Sequence, residues 1–194
     1  MEVILLRHGE TEWSRAGRHT GRTDLPLTGR GEEQARALAG VVKDRVFSLV
    51  LVSPAQRARR TAELAGVESY EVDPDLWEWD YGGYEGVTTA EIRGTRPGWY
   101  VWRDGIVPGD EAHPGETVEH VGERADKVIA RIRSAGGDVL IVAHGHFLRV
   151  LAARWLGLPA AYGRYLRLDT GTYSALGYEH EEAVLLRWNA PVAP

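Results

Sequence analysis

Three short runs of consecutive apolar residues stand out along the chain: Val3 to Leu6, Leu49 to Val52 and Val139 to Val142. Unbroken runs of this length, rich in β-branched residues, suit strands covered on both faces, as in a parallel sheet. Between them the apolar positions recur by threes and fours, which is the helical period. Thr28 predicts the N-cap of one helix running through Gln34, Ala35, Leu38 and Val41. Pro54 takes a first-turn position in a second helix that ends near Leu64 and Gly66. After Thr117, the residues Val118, Val121, Ala125, Val128, Ile129 and Ile132 share one face of a longer helix. Phe147 to Leu156 predicts a last helix closed by Gly157 and Pro159, and Thr172 to Tyr178 with Ala183 to Asn189 predicts a terminal β-hairpin.

Strands alternating with helices place the chain in the α/β class. From Asp73 to Glu116 the pattern gives way to Gly, Pro and Trp, with one short helix expected at Thr88-Thr89-Ala90-Glu91, where Thr and Glu have capping-box spacing. This stretch is expected to be an insertion lying over the sheet edge. Neither repeats nor a long linker divide the sequence, so residues 1–194 are expected to form a single domain.

Composition narrows the function. The net charge of −5 comes from interspersed acidic and basic residues, which argues against nucleic acid and anionic membranes as partners. The absence of Cys removes disulfide frameworks and thiolate metal sites. The N-terminal Met1-Glu2-Val3-Ile4-Leu5-Leu6-Arg7 has no basic region ahead of a long apolar stretch, so a soluble, cytoplasmic protein is the expectation. The outer strand of the hairpin would offer an edge to a second copy of the chain, and a homodimer is an open expectation.

In open α/β sheets ligands bind beyond the carboxyl ends of the strands. Those ends carry Arg7-His8-Gly9-Glu10-Thr11, Ser53-Pro54 with Arg57 one turn later, and His144-Gly145-His146. Singly, each His reads as a turn or capping residue. Together, two His and two Arg at three strand ends imply an anion, because guanidinium groups buried side by side are costly without one. Arginine's planar fork matches phosphate oxygens, and a neutral imidazole at His8 or His144 can accept a phosphoryl group.

Leu6-Arg7-His8-Gly9-Glu10-Thr11 resembles the signature of the histidine phosphatase superfamily, which includes the cofactor-dependent phosphoglycerate mutases. Thr20 to Thr28, Ser53-Pro54-Ala55-Gln56-Arg57 with Thr61-Ala62, Leu76-Trp77-Glu78 with Tyr81-Gly82 and Glu85-Gly86, and Ala143-His144-Gly145-His146 follow in the family's order. The resemblance implies a three-layer α/β/α fold with a mostly parallel sheet and a short insertion over the active site. It implies that His8 accepts the phosphoryl group, that Arg7, Arg57 and His144 bind its oxygens, and that Glu78 is the acid/base, with no metal or cofactor. Thr20, Gly21, Tyr81 and Gly145 fall at substrate-contacting positions. Ser14 stands where many members have Asn, which leaves open how that phosphate oxygen is bound.

The insertion is short for a mutase, so hydrolysis is the expected outcome. Runs such as Glu78-Trp79-Asp80-Tyr81-Gly82 are similar to a subgroup holding a sedoheptulose-bisphosphatase and broad-specificity acid phosphatases, which makes sugar phosphates the leading substrates. If Arg103 or His113 binds a second phosphate, bisphosphates would be preferred. His19, Trp79, Trp99 and Trp102 are candidates for the specificity pocket or for packing, His146 for a structural or a catalytic role, and Arg59 and Arg60 for a solvated helix face. Three alternatives stand beside the phosphatase: a phosphoglycerate mutase, a metallohydrolase using His8, His144, His146, Glu78 and Asp80, and a non-catalytic phosphate-binding module. The paired arginines oppose the metal reading by repelling a cation.

Overall fold

The computed structural model describes residues 1–192. The strands are β1 (Val3–Arg7), β2 (Leu49–Val52), β3 (Glu71–Val72), β4 (Val139–Ala143), β5 (Tyr173–Glu179) and β6 (Glu182–Ala190). They form one sheet in the order β3-β2-β4-β1-β5-β6. The first four in that order run parallel, and the hairpin of β5 and β6 adds two antiparallel strands beside β1. Leu6 pairs with Val142 and Val142 with Val52, so β1, β4 and β2 end level. His8, Ser53 and His144 therefore emerge at one rim.

The helices are α1 (Glu12–Ala16), α2 (Gly29–Ala37), α3 (Ala39–Val42), α4 (Gln56–Leu64), α5 (Thr89–Thr95), α6 (Val101–Asp104), α7 (Val118–Ser134) and α8 (Gly145–Trp155). Successive strand residues point to opposite faces, and the apolar runs divide accordingly. Val3, Leu5, Leu51, Val139 and Ile141 pack with α7 and α8. Ile4, Leu6, Val52, Leu140 and Val142 pack with Leu38, Val41, Ala58 and Ala62 on the other face. Each buried Leu, Ile or Val contributes about 1.5–3 kcal/mol of transfer free energy, which is why continuous runs were required.

The expected strands, the helix after Thr117 and the hairpin are present. Two helix expectations need correction. The single helix from Thr28 through Val41 is two helices: Thr28 caps α2, but the chain tightens at Leu38, where Val41 N–H bonds the Leu38 carbonyl three residues back. Leu38 and Val41 stay buried on the same face. Pro54 lies outside α4, whose N-cap is Ala55; the first turn is satisfied by Asp24, whose Oδ1 accepts from Gln56 N–H at 2.8 Å.

The insertion lies over the carboxyl ends of the strands, its Trp79, Tyr81, Ile92, Trp99 and Trp102 sharing one apolar cluster with α7 and α8. The capping box of Thr88 and Glu91 starts α5 as its spacing predicted. Among the described residues no helix is long and apolar enough to cross a membrane.

Candidate functional site

Gly9 lets the chain after β1 pass against the first turn of α2: a Cβ there would lie 2.1 Å from the Gly31 carbonyl oxygen. Gly9 N–H donates to Thr61 Oγ1 at 3.1 Å, and His8 is held by its own N–H to the Ala143 carbonyl and by Gly171 N–H to its carbonyl. The imidazole is 5% exposed. Its Nδ1 lies 2.7 Å from the Gly9 carbonyl oxygen. A carbonyl only accepts, so Nδ1 carries the proton and Nε2 is left with a free lone pair. Burial, reinforced by Arg57 and then Arg7, pushes the His8 pKa well down. The ring is therefore neutral and armed at Nε2.

Arg7 lines the cavity beside His8. Its Nη1 donates to the Leu168 carbonyl, while Nε is buried without a partner among the described residues. An orphaned donor on a buried cation is the mark of a site shaped for an anion. Gly145 admits this guanidinium, since a Cβ there would sit 3.0 Å from Arg7 Cζ.

Arg57, on α4, is fully buried. Its Nε donates to His144 Nδ1 at 3.2 Å, Nη1 to the Thr23 carbonyl at 2.9 Å and Nη2 to the Gly21 carbonyl at 2.9 Å. These bonds tie most of its N–H groups to protein, and Arg57 is not among the residues that line the cavity, so its contribution to an anion there is positive charge from behind the wall. Because Arg57 can only donate, His144 Nδ1 accepts, and the proton sits on Nε2, 2.7 Å from Ser53 Oγ. Burial, then Arg57 and His8, hold the His144 pKa well down. The His8 and His144 rings meet edge to face with centroids 5.1 Å apart.

Among the described residues Glu78 is the only carboxyl group lining the cavity, whose volume is about 240 Å³. Its Oε1 accepts from the N–H groups of Trp79 and Phe147 at 2.9 and 2.8 Å, and Oε2 from His146 N–H at 2.9 Å. Helix α8, whose N-cap His144 offers no side-chain cap, is thus capped by Glu78. Beside it, Tyr81 Oη lies 2.5 Å from His146 Nδ1. Burial, with Arg149 adding repulsion, keeps the His146 pKa well down, and burial beside Glu78 raises that of Tyr81. His19 donates from Nδ1 to the Val87 carbonyl at 2.6 Å and packs edge to face on Tyr81.

Thr20 and Ser14 line the cavity, but the Ser14 hydroxyl is committed to the Thr11 backbone as a capping box. Gly21 stands outside the cavity, its N–H donating to the Glu85 carboxylate. Arg103 and His113 also stand outside. Arg103 pairs with Asp104, and His113 faces Asp110 at 3.2 Å. Arg59 and Arg60 are exposed on α4. Trp79, Trp99 and Trp102 are buried in the cluster under the insertion.

Sequence reasoning gave no separate role to Thr11 and missed Gly17, Arg18, Thr89 and Arg149 in the lining. Arg149 was within reach: on α8 it falls three and four residues after His146 and Gly145, on their face of the helix. It stacks on Trp102 at 4.6 Å. Ser53 was visible only as part of a motif, with nothing to say that it meets His144.

A neutral imidazole with a free Nε2 and a buried guanidinium, lining one cavity at the ends of parallel strands, define the class of phosphoryl-transfer sites built without a thiolate. The chain belongs to the histidine phosphatase superfamily (branch 1), whose model matches residues 3–191. It is similar to an acid phosphatase of Mycobacterium tuberculosis, 42% identical over 182 residues that cover 92% of this chain and 87% of the relative. It is also similar to a sedoheptulose 1,7-bisphosphatase of Saccharomyces cerevisiae, 39% identical over 189 residues covering 80% and 67% of the two chains. The solved structure of an open reading frame product of Mycobacterium tuberculosis superposes with a TM-score of 0.91 at 39% identity, covering 99% of this chain and 98% of that one. Both named relatives are phosphatases, which favours hydrolysis over the mutase reading.

Proposed function

We propose that this chain hydrolyses sugar phosphates through a phosphohistidine on Nε2 of His8. The observation that carries the reading is the Gly9 carbonyl holding the proton on Nδ1 of His8. In the first step Nε2 attacks phosphorus as the ester P–O bond breaks, and the alkoxide leaves with a proton from Glu78. In the second, Glu78 takes a proton from water, the hydroxide attacks phosphorus, and the P–N bond breaks to release inorganic phosphate and free His8. The Arg7 guanidinium, which lines the cavity, meets a phosphoryl oxygen, while Arg57 and His144 supply field and packing from behind. Small phosphate esters match the cavity's volume of about 240 Å³.

A second phosphate on the substrate would face Arg149 and Arg18, the further cations of the lining, rather than Arg103 or His113. Steady-state assays with a chromogenic phosphomonoester and a sugar phosphate panel test the proposal. Turnover is expected to survive exhaustive chelation and to vanish in His8→Ala; loss of activity on chelation, or full activity in His8→Ala, rejects it.

A further inference from the structure

The orphaned Nε of Arg7 is useful only if the guanidinium is aimed, and the aim comes from the Leu168 carbonyl that accepts from Nη1. Leu168 is bracketed by two side chains of the outermost strand. On one side, Trp188 Nε1–H donates to the Arg167 carbonyl at 2.6 Å. On the other, Asn189 Oδ1 accepts from Asp169 N–H at 2.8 Å while its Nδ2 donates to the Asp169 carboxylate at 2.9 Å.

Two consecutive residues of a regular strand point to opposite faces, so a local distortion is needed for both to reach one loop. The β5–β6 register shifts between Tyr173 and Leu176. Asn189 has a φ of +51°, a region Asn enters more readily than other side-chain-bearing residues. Its N–H donates to the buried Ser174 Oγ on β5 at 3.0 Å. Downstream, the same segment holds the nucleophile's backbone: Gly171 N–H donates to the His8 carbonyl and Arg7 N–H to the Thr172 carbonyl.

We propose that Trp188 and Asn189 are positioning residues, a clamp at the far edge of the sheet that fixes the Leu168 carbonyl and through it sets Arg7 against the phosphoryl group. Neither lines the cavity. This rests on the reading of Arg7 as a phosphate ligand. Small displacements of a group that orients an anion are expensive, on the order of ten-fold or more in affinity.

The test is the Kd for inorganic phosphate, measured by calorimetry on the full chain. Asn189→Gly keeps the left-handed backbone accessible and removes only the clamp; it is expected to weaken phosphate binding roughly ten-fold. Trp188→Phe, which keeps an aromatic ring but loses the N–H, is expected to move Kd the same way by less. The separating measurement is kcat/KM for a chromogenic phosphomonoester in an Arg7→Lys background, where Asn189→Gly is expected to add less than about two-fold because the group it aims is gone. Wild-type phosphate affinity in Asn189→Gly, or the same fold loss in both backgrounds, overturns the clamp. A wild-type protein that binds no phosphate overturns the underlying reading of Arg7 instead.

Discussion

At His8 one carbonyl decides which ring nitrogen reacts. The Gly9 oxygen accepts from Nδ1–H, and burial, helped by two guanidinium groups, keeps a second proton off the ring. The nucleophile is therefore expected to stay competent well below the pH at which a free imidazole protonates. At Glu78 the same residue caps α8 and faces the cavity. If it protonates the leaving alkoxide, Glu78→Gln is expected to lower kcat/KM for alkyl phosphates by about 10²–10⁴-fold. An aryl phosphate, whose leaving group needs little help, is expected to lose much less. Comparing the two substrates checks this, and equal losses would deny the acid role. Arg7 and His8 were legible in the sequence because they stand at the end of an apolar strand, and Glu78 only through the family resemblance. The job of Arg57 was not, since its partners at Gly21 and Thr23 come from a loop more than thirty residues earlier in the chain.

Among the elements, those with a full period were the readable ones. The six apolar positions after Thr117 gave α7, and the unbroken apolar runs gave β1, β2 and β4. Short pieces such as α1, β3 and α6 carry too few residues for a period, and α1 exists through its capping box and the left-handed Gly17 that ends it. The split between α2 and α3 escaped because Leu38 and Val41 remain on one face across the break. Helix α8 deserves a prediction of its own, since it presents Gly145, His146 and Arg149 to the cavity together. Arg149→Ala is expected to raise KM for a sugar bisphosphate about ten-fold, the scale of one charge-assisted hydrogen bond, with a smaller change for the matching monophosphate. Steady-state kinetics on the pair checks this, and equal shifts would remove the second-phosphate reading.

On the scale of the whole molecule, the level ends of β1, β2 and β4 bring buried neutral histidines to one rim, with a consequence for stability. His8, His144 and His146 all have folded-state pKa values pushed well below the unfolded value. As pH falls through the unfolded value near 6.5, the unfolded chain takes up protons that the folded chain refuses, so stability falls with acidification. Each such group contributes at most about 1.4 kcal/mol per pH unit. The melting temperature is expected to drop steadily from pH 7 to pH 5, and less steeply in His146→Gln; a flat profile would contradict the burial of these rings in neutral form.

The most direct measurement is capture of the covalent intermediate. Rapid quench during turnover of a ³²P-labelled sugar phosphate, followed by peptide mapping, is expected to place label on the peptide containing His8. That label should be lost in acid, be stable in base and be absent from His8→Ala. Turnover without any protein-bound phosphate, or label that persists in His8→Ala, would contradict the account.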